Sequence, residues 1–167
     1  MSAPTDAELA ERTNELVESC REFVDDRGDD LVAEPAAVLF LRFRGAQFDA
    51  GLALVHLPEG AGGLGGNRGQ QAVIDGILRA NGVTYEDLRI NPIGIGMGLP
   101  TVLAYGSDEL KEKHLRRIFT GEEIWCQLFS EPTHGSDVAG IPSRAVRDGD
   151  EWVVNGQKVW TTLAHIS

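Results

Sequence analysis

Two short stretches hold most of the side chains in this sequence that could grip a ligand. Residues 127–137 read Gln-Leu-Phe-Ser-Glu-Pro-Thr-His-Gly-Ser-Asp, and residues 155–162 read Asn-Gly-Gln-Lys-Val-Trp-Thr-Thr. Together they offer hydroxyls, a glycine beside a serine and a broad indole face, groups that bind polar edges, phosphate oxygens and flat rings. Each has an ordinary reading when taken alone. Glu131-Pro132 is a turn, Ser136-Asp137 can cap a helix, and a tryptophan such as Trp160 usually sits in a core. Their joint pattern outweighs those readings.

Other candidates for chemistry fall away on spacing. Gly62-Gly63-Leu64-Gly65-Gly66 lacks the Gly-Lys-Ser/Thr ending of a P-loop, and Gly94-x-Gly96-x-Gly98 follows a proline where a dinucleotide fingerprint needs a strand. Turns or close helix contacts explain both. His56, His114, His134 and His165 show neither metal nor triad spacing, and Cys20 and Cys126 read as reduced thiols rather than as ligands or a disulfide framework. No metal site is expected. With 26 acidic and 15 basic residues the chain carries a net charge of -11, which repels nucleic acid and anionic membrane surfaces. It does not exclude nucleotides, because backbone amides and hydroxyls can hold a phosphate without a cationic side chain. The 42% hydrophobic and 25% charged residues describe a folding globular chain. No apolar run reaches the length of a membrane span, and residues 1–10 form neither a secretory signal nor an Arg-rich transit peptide, so a cytoplasmic protein is expected.

The elements that must position these stretches divide the 167 residues in two. Leu9, Thr13, Leu16, Val17, Cys20, Phe23 and Val24 recur at three-four spacing, which predicts a helix started by a Thr5/Glu8 capping box and followed by Gly28. A second helix is predicted from Pro35 through Phe48, buried all round because its residues 38–43 are so apolar. Residues 51–66 are too glycine-rich for a regular element and read as a loop, and a third helix follows over residues 68–80, closed by Asn81 and Gly82. Residues 92–105 alternate glycine with apolar residues, which suits a closely packed, buried helix. Ser107 caps the next helix, with Asp108 and Glu109 in its first turn and Gly121 at its end. Beyond Gly121 the period changes to that of strands, over residues 124–130 and 143–159. Asp148-Gly149 and Asn155-Gly156 are type I′ hairpin signals, so an antiparallel meander through Trp160 is expected. The predicted fold class is α+β: an all-α helical domain over residues 1–123, then an incomplete antiparallel β domain over residues 124–167. A sheet of so few strands leaves an open edge, so the β domain is expected to be cut short.

The paired motifs carry a resemblance. Ser130-Glu131-Pro132-x-x-Gly135-Ser136-Asp137, followed by Asn155-Gly156-x-Lys158 and Trp160-x-Thr162, resembles the acyl-CoA dehydrogenase family, in which a helical amino-terminal domain leads into a β domain through these segments. Leu57-Pro58 with its glycines, and the stretch from Tyr105-Gly106-Ser107 to Gly121-Glu122-Glu123, are similar too, so the likeness runs along essentially the whole chain. It implies FAD as cofactor, held by Gln127, Phe129, Ser130, Gly135, Ser136, Trp160 and Thr162. In that assignment backbone groups at Phe129-Ser130 and the Ser130 hydroxyl meet the polar edge of the flavin. Gly135 and Ser136 take the pyrophosphate, Trp160 packs on the ring, and Thr162, on the same side of a strand, reaches N5. Thr133-His134 stand where the family often has Gly-Ala, and Gln127 where many members have an aromatic residue. His134 reads as a solvent-facing loop residue.

The resemblance also implies a reaction, the α,β-dehydrogenation of an acyl-CoA thioester to trans-2-enoyl-CoA with hydride passing to flavin N5. The substrate would be acyl-CoA, the acceptor an electron-transfer flavoprotein, and the assembly a homo- or hetero-oligomer. The family's catalytic Glu belongs to a carboxy-terminal helical domain absent from these residues, so no catalytic residue is assigned here and the chain alone is expected to be inactive. Glu131, beside Pro132 in a turn, is not placed to serve as that base. Two other readings stay open: a non-catalytic helical interaction module, and a flavin oxidase relative on the same scaffold.

Overall fold

A computed structural model of the chain describes residues 2–27, 36–83 and 91–167. They form two compact units, Met1–Glu123 and Ile124–Ser167. Gly28 and Pro35, and the side chains of Val24 and Val38, lie outside the described residues.

The first unit is helical. Helix α1 (Asp6–Arg27) starts where expected: the Thr5 N–H donates to Glu8 Oε2 at 2.7 Å and the Glu8 N–H to Thr5 Oγ1 at 3.3 Å, a reciprocal cap. Its stripe buries Leu9, Thr13, Leu16 and Val17. Thr13 is tolerated at 0% exposure because its hydroxyl donates to the Leu9 carbonyl at 2.6 Å. That stripe meets Ile74 and Leu78 of α3 (Gln71–Ala80) and Leu52 and Val55 of the glycine-rich loop in one apolar cluster.

Helix α2 (Ala36–Asp49) departs from expectation. Leu39, Phe40, Leu41 and Phe43 are only half-buried, whereas Arg44, Gln47 and Phe48 are enclosed. Arg44 donates through Nε to the Phe119 carbonyl at 2.8 Å, and its guanidinium lies 4.0 Å from the Phe119 ring centroid. Gln47 Nε2 donates to the Leu52 carbonyl at 2.9 Å. Tertiary acceptors, rather than apolar character, decide which face of α2 is covered.

Residues 51–66 form the predicted loop, folded inward. Ala53 and Leu54 both donate to the Gly62 carbonyl, while Leu64 and Gly66 donate to Val55. At Gly63 a Cβ would stand 2.2 Å from the Leu57 carbonyl oxygen, so backbone proximity explains that glycine and no phosphate need be invoked.

Residues 92–105 are helical, but not as one buried cylinder. A π-helical turn (Gly94–Gly98) precedes α4 (Leu99–Tyr105), and only one face is covered: Gly94, Leu99 and Val102 are buried, while Met97, Thr101 and Tyr105 face outward. Asn91, fully buried, anchors this turn. Its Nδ2 donates to the Ile118 and Glu123 carbonyls at 2.9 and 2.8 Å, and its Oδ1 accepts from the Gly94 N–H at 3.1 Å. Helix α5 (Asp108–Thr120) has the anticipated Ser107 cap and a left-handed Gly121 at its end.

The second unit holds a two-stranded antiparallel sheet. Strands β1 (Arg144–Asp148) and β2 (Glu151–Asn155) pair Val146 with Val153 and Asp148 with Glu151. The loop is therefore Gly149-Asp150, with positive φ at Gly149 only, the pattern of a II′ turn rather than the expected I′. Two further expectations fail. Residues 124–130 form no strand, and Asn155-Gly156 makes no second hairpin, neither residue having a positive φ. Gly156 is needed for another reason: a Cβ there would lie 1.7 Å from Ser143 Oγ. Among the described residues no helix is long and apolar enough to cross a membrane.

Candidate functional site

The two stretches, residues 127–137 and 155–162, belong to the second unit and meet across a short backbone tie. The Val159 N–H donates to the Ser130 carbonyl at 2.9 Å. Beside it, Lys158 Nζ donates to the Phe129 carbonyl at 3.1 Å and to Glu131 Oε1 at 2.7 Å. Glu131 is enclosed, its side chain 3% exposed. The Lys158 ammonium, then Ser143, hold its carboxyl below the usual carboxylate range, against the upward push of burial. Ser143 Oγ is itself buried and meets no partner at full hydrogen-bonding geometry, so its part is the smaller one. An ionised, paired Glu131 that faces Lys158 is a structural anion rather than a free base.

Downstream of Glu131 the chain folds back at once. Glu131 and His134 exchange backbone hydrogen bonds of 2.8 and 3.1 Å across Pro132-Thr133. Asp137 Oδ1 then accepts from the Gly140 N–H at 3.1 Å and caps a short 3₁₀ turn (Val138–Gly140). His134 is half-buried rather than solvent-facing. Its Nδ1 is 2.8 Å from Thr133 Oγ1, and its ring packs on Gly140, where an added Cβ would lie 2.6 Å from Cδ2. Gly135 and Ser136, between these two ties, are exposed, with open space where a Gly135 Cβ would point.

The structure thus brings Phe129 and Ser130 next to the segment that carries Trp160, with Gln127 half-buried three residues before Ser130. Trp160 and Thr162 do not lie on a strand, which corrects the expected same-side placement. Trp160 has φ 55° and is 92% exposed, Leu163 has φ 64°, and Thr162 is exposed in the turn between them. A non-glycine residue held left-handed with its indole in solvent is unusual and is a recognised mark of functional positions. Exposed indole, exposed glycine-serine bend and outward hydroxyls fit a ligand with one flat ring and an anionic tail. Among the described residues no cluster of His, Cys, Asp or Glu could hold a metal ion. Sequence reasoning passed over the Glu131–Lys158 pair, although each lies inside a quoted motif; opposite charges in two such motifs were the available signal.

Comparison with known proteins shows the family of the chain. The profile described as "Acyl-CoA dehydrogenase, N-terminal domain" matches residues 10–122, and "Acyl-CoA dehydrogenase, middle domain" matches residues 126–167. The chain belongs to the acyl-CoA dehydrogenase family. It is similar to acyl-CoA dehydrogenase IpdE1 of Mycobacterium tuberculosis, 40% identical over 119 residues that cover 71% of this chain and 30% of that protein. FadE34 of the same organism is 40% identical over 134 residues, 80% of this chain and 18% of its own length. Among solved structures, the ChsE4–ChsE5 complex from M. tuberculosis matches 99% of this chain and 42% of the compared chain, at 30% identity and a TM-score of 0.52. The chain therefore spans less than half the length of each of these relatives.

Proposed function

We propose that residues 124–167 form part of a FAD site in an acyl-CoA dehydrogenase. The supporting observation is the tie of Ser130 to Val159, which sets the exposed indole of Trp160 next to the exposed Phe129 and half-buried Ser130 within one small unit. In this reading Trp160 covers one face of the isoalloxazine. The backbone at Phe129 and Ser130, with the Ser130 and Thr162 hydroxyls, meets its polar rim, and Gln127 lies alongside. Gly135 admits the diphosphate close to the chain and Ser136 donates a hydroxyl to it. Bound there, the flavin supplies the two-electron acceptor for α,β-dehydrogenation of an acyl-CoA thioester to trans-2-enoyl-CoA.

This chain's residues hold and orient; they do not take the α proton. Glu131 is kept ionised by Lys158 inside its turn, so the base is a carboxylate from another part of the protein or from a partner. An oligomer is the natural setting, as the ChsE4–ChsE5 structure is of a complex of two proteins. An electron-transfer flavoprotein would reoxidise the cofactor, and the enzyme would work in the cytoplasm.

The test is the visible spectrum of the native protein with its natural partner chains. A flavin spectrum that bleaches anaerobically on addition of acyl-CoA is the expected result. A flavin spectrum unchanged by any acyl-CoA would point to a relative acting on a non-thioester substrate, and a colourless preparation that takes up no FAD would leave a non-catalytic module.

A further inference from the structure

We infer that the Lys158–Glu131 pair is the positioning element of this site, a role that rests on the flavin reading above. Lys158 Nζ bridges two groups 29 and 27 residues away in sequence, the Phe129 carbonyl at 3.1 Å and the Glu131 carboxylate at 2.7 Å. The next residue, Val159, adds the backbone bond to Ser130. Three consecutive residues of one stretch are thereby gripped by two consecutive residues of the other. Trp160 follows directly, so the grip sets where its ring stands relative to the Phe129-Ser130 edge.

The grip also fixes an orientation. A trans peptide is planar, with its N–H directed opposite its C=O. When Lys158 holds the Phe129 carbonyl, the Ser130 N–H on the same peptide must point away from Lys158. No described residue accepts a backbone hydrogen bond from it, so it remains a donor for a ligand. The Ser130 carbonyl is committed to Val159 and the Glu131 N–H to the His134 carbonyl. The ammonium thus fixes the Phe129–Ser130 peptide, while backbone bonds to Val159 and His134 fix the next one.

Glu131 makes the arrangement demanding. Its carboxylate is 3% exposed, so loss of Lys158 leaves an enclosed anion without its cation, and the turn through His134 must open or take up a proton. Ser143 and Gly156 complete the enclosure: the Gly156 backbone sits so close to Ser143 that a Cβ would overlap Oγ. Lys158 and Glu131 touch neither substrate nor ring in this account. They act through Ser130 and Trp160.

The experiment uses the native protein with its partner chains, wild type and as Lys158→Met, Lys158→Arg and Glu131→Gln. Two quantities are read: amide exchange at Val159 against the amides of β1 and β2, and FAD affinity with the visible circular dichroism of the bound flavin. A charge-assisted bond lost at an enclosed site corresponds to about a tenfold change. Lys158→Met and Glu131→Gln should each speed exchange at Val159 and weaken FAD binding by about that factor, with an altered dichroic band and β1–β2 exchange unchanged. Lys158→Arg, which keeps the charge, should recover most of both. Unchanged Val159 exchange overturns the inference, as does intact FAD affinity and dichroism in Lys158→Met. Wild-type protein that binds no FAD overturns the flavin reading itself, and with it a role toward flavin. Because that result appears in the wild type, it is distinguished from failure of the pair alone.

Discussion

Arg44 on α2 reaches across the helical unit to the Phe119 carbonyl of α5, with Nε 2.8 Å from the oxygen and the guanidinium stacked 4.0 Å from the Phe119 ring centroid. At 1% exposure it is the largest side chain fully enclosed among the described residues. It satisfies an acceptor at the end of α5 that would otherwise be buried without a partner.

Replacement of Arg44 by Met should therefore destabilise the protein despite filling much of the same space. Loss of the charged hydrogen bonds, with the carbonyl left behind, costs about 2–4 kcal/mol. Urea denaturation followed by far-UV dichroism checks this, and a change below about 0.5 kcal/mol, the size of an ordinary surface substitution, would contradict it.

Gly156→Ala tests the second unit. Its Cβ would fall 1.7 Å from Ser143 Oγ and 2.8 Å from Ser143 Cβ, so either Ser143 or the 156–159 segment must shift. A cost of about 1–3 kcal/mol is expected for such overpacking, and Ser143→Gly should relieve it in the double variant. Additive losses from the two substitutions would show that the contact is not shared.

Much of the helical unit could be read from local chemistry. The Thr5/Glu8 box, the Ser107 cap and the Gly121 stop each involve groups within a few residues, and each forms as the spacing implies. What sequence could not disclose depends on partners far along the chain. The covered face of α2 is chosen by carbonyls at Leu52 and Phe119. Asn155-Gly156 carries a hairpin signature, yet its glycine answers to Ser143 and no turn forms. In the candidate site the loop around Gly135-Ser136 was visible as a bend, but the left-handed Trp160 was not, because nothing local favours positive φ at a tryptophan. The Glu131–Lys158 bond spans 27 residues; only the opposite charges of the two motifs hinted at it.

Acid should loosen the second unit through Glu131. Its carboxyl is held below the ordinary value of 4.5 when folded, so the unfolded chain binds the proton more readily. The resulting stability is fully present above pH 4.5 and is lost as pH falls through the lower folded value. Glu131→Gln should remove this acid-dependent component. Stability profiles measured from neutral pH downward should therefore converge for the two proteins at the acid end, and parallel profiles would contradict the assignment.

The most direct test of the flavin site compares two exposed tryptophans of the same unit, Trp160 at 92% and Trp152 at 65% exposure. FAD affinity of the native assembly should fall about fivefold to tenfold in Trp160→Leu, the scale of a lost aromatic stacking contact. Trp152→Leu, altered on β2 away from the Ser130–Val159 tie, should leave it unchanged. Equal affinities for wild type and Trp160→Leu would contradict the account.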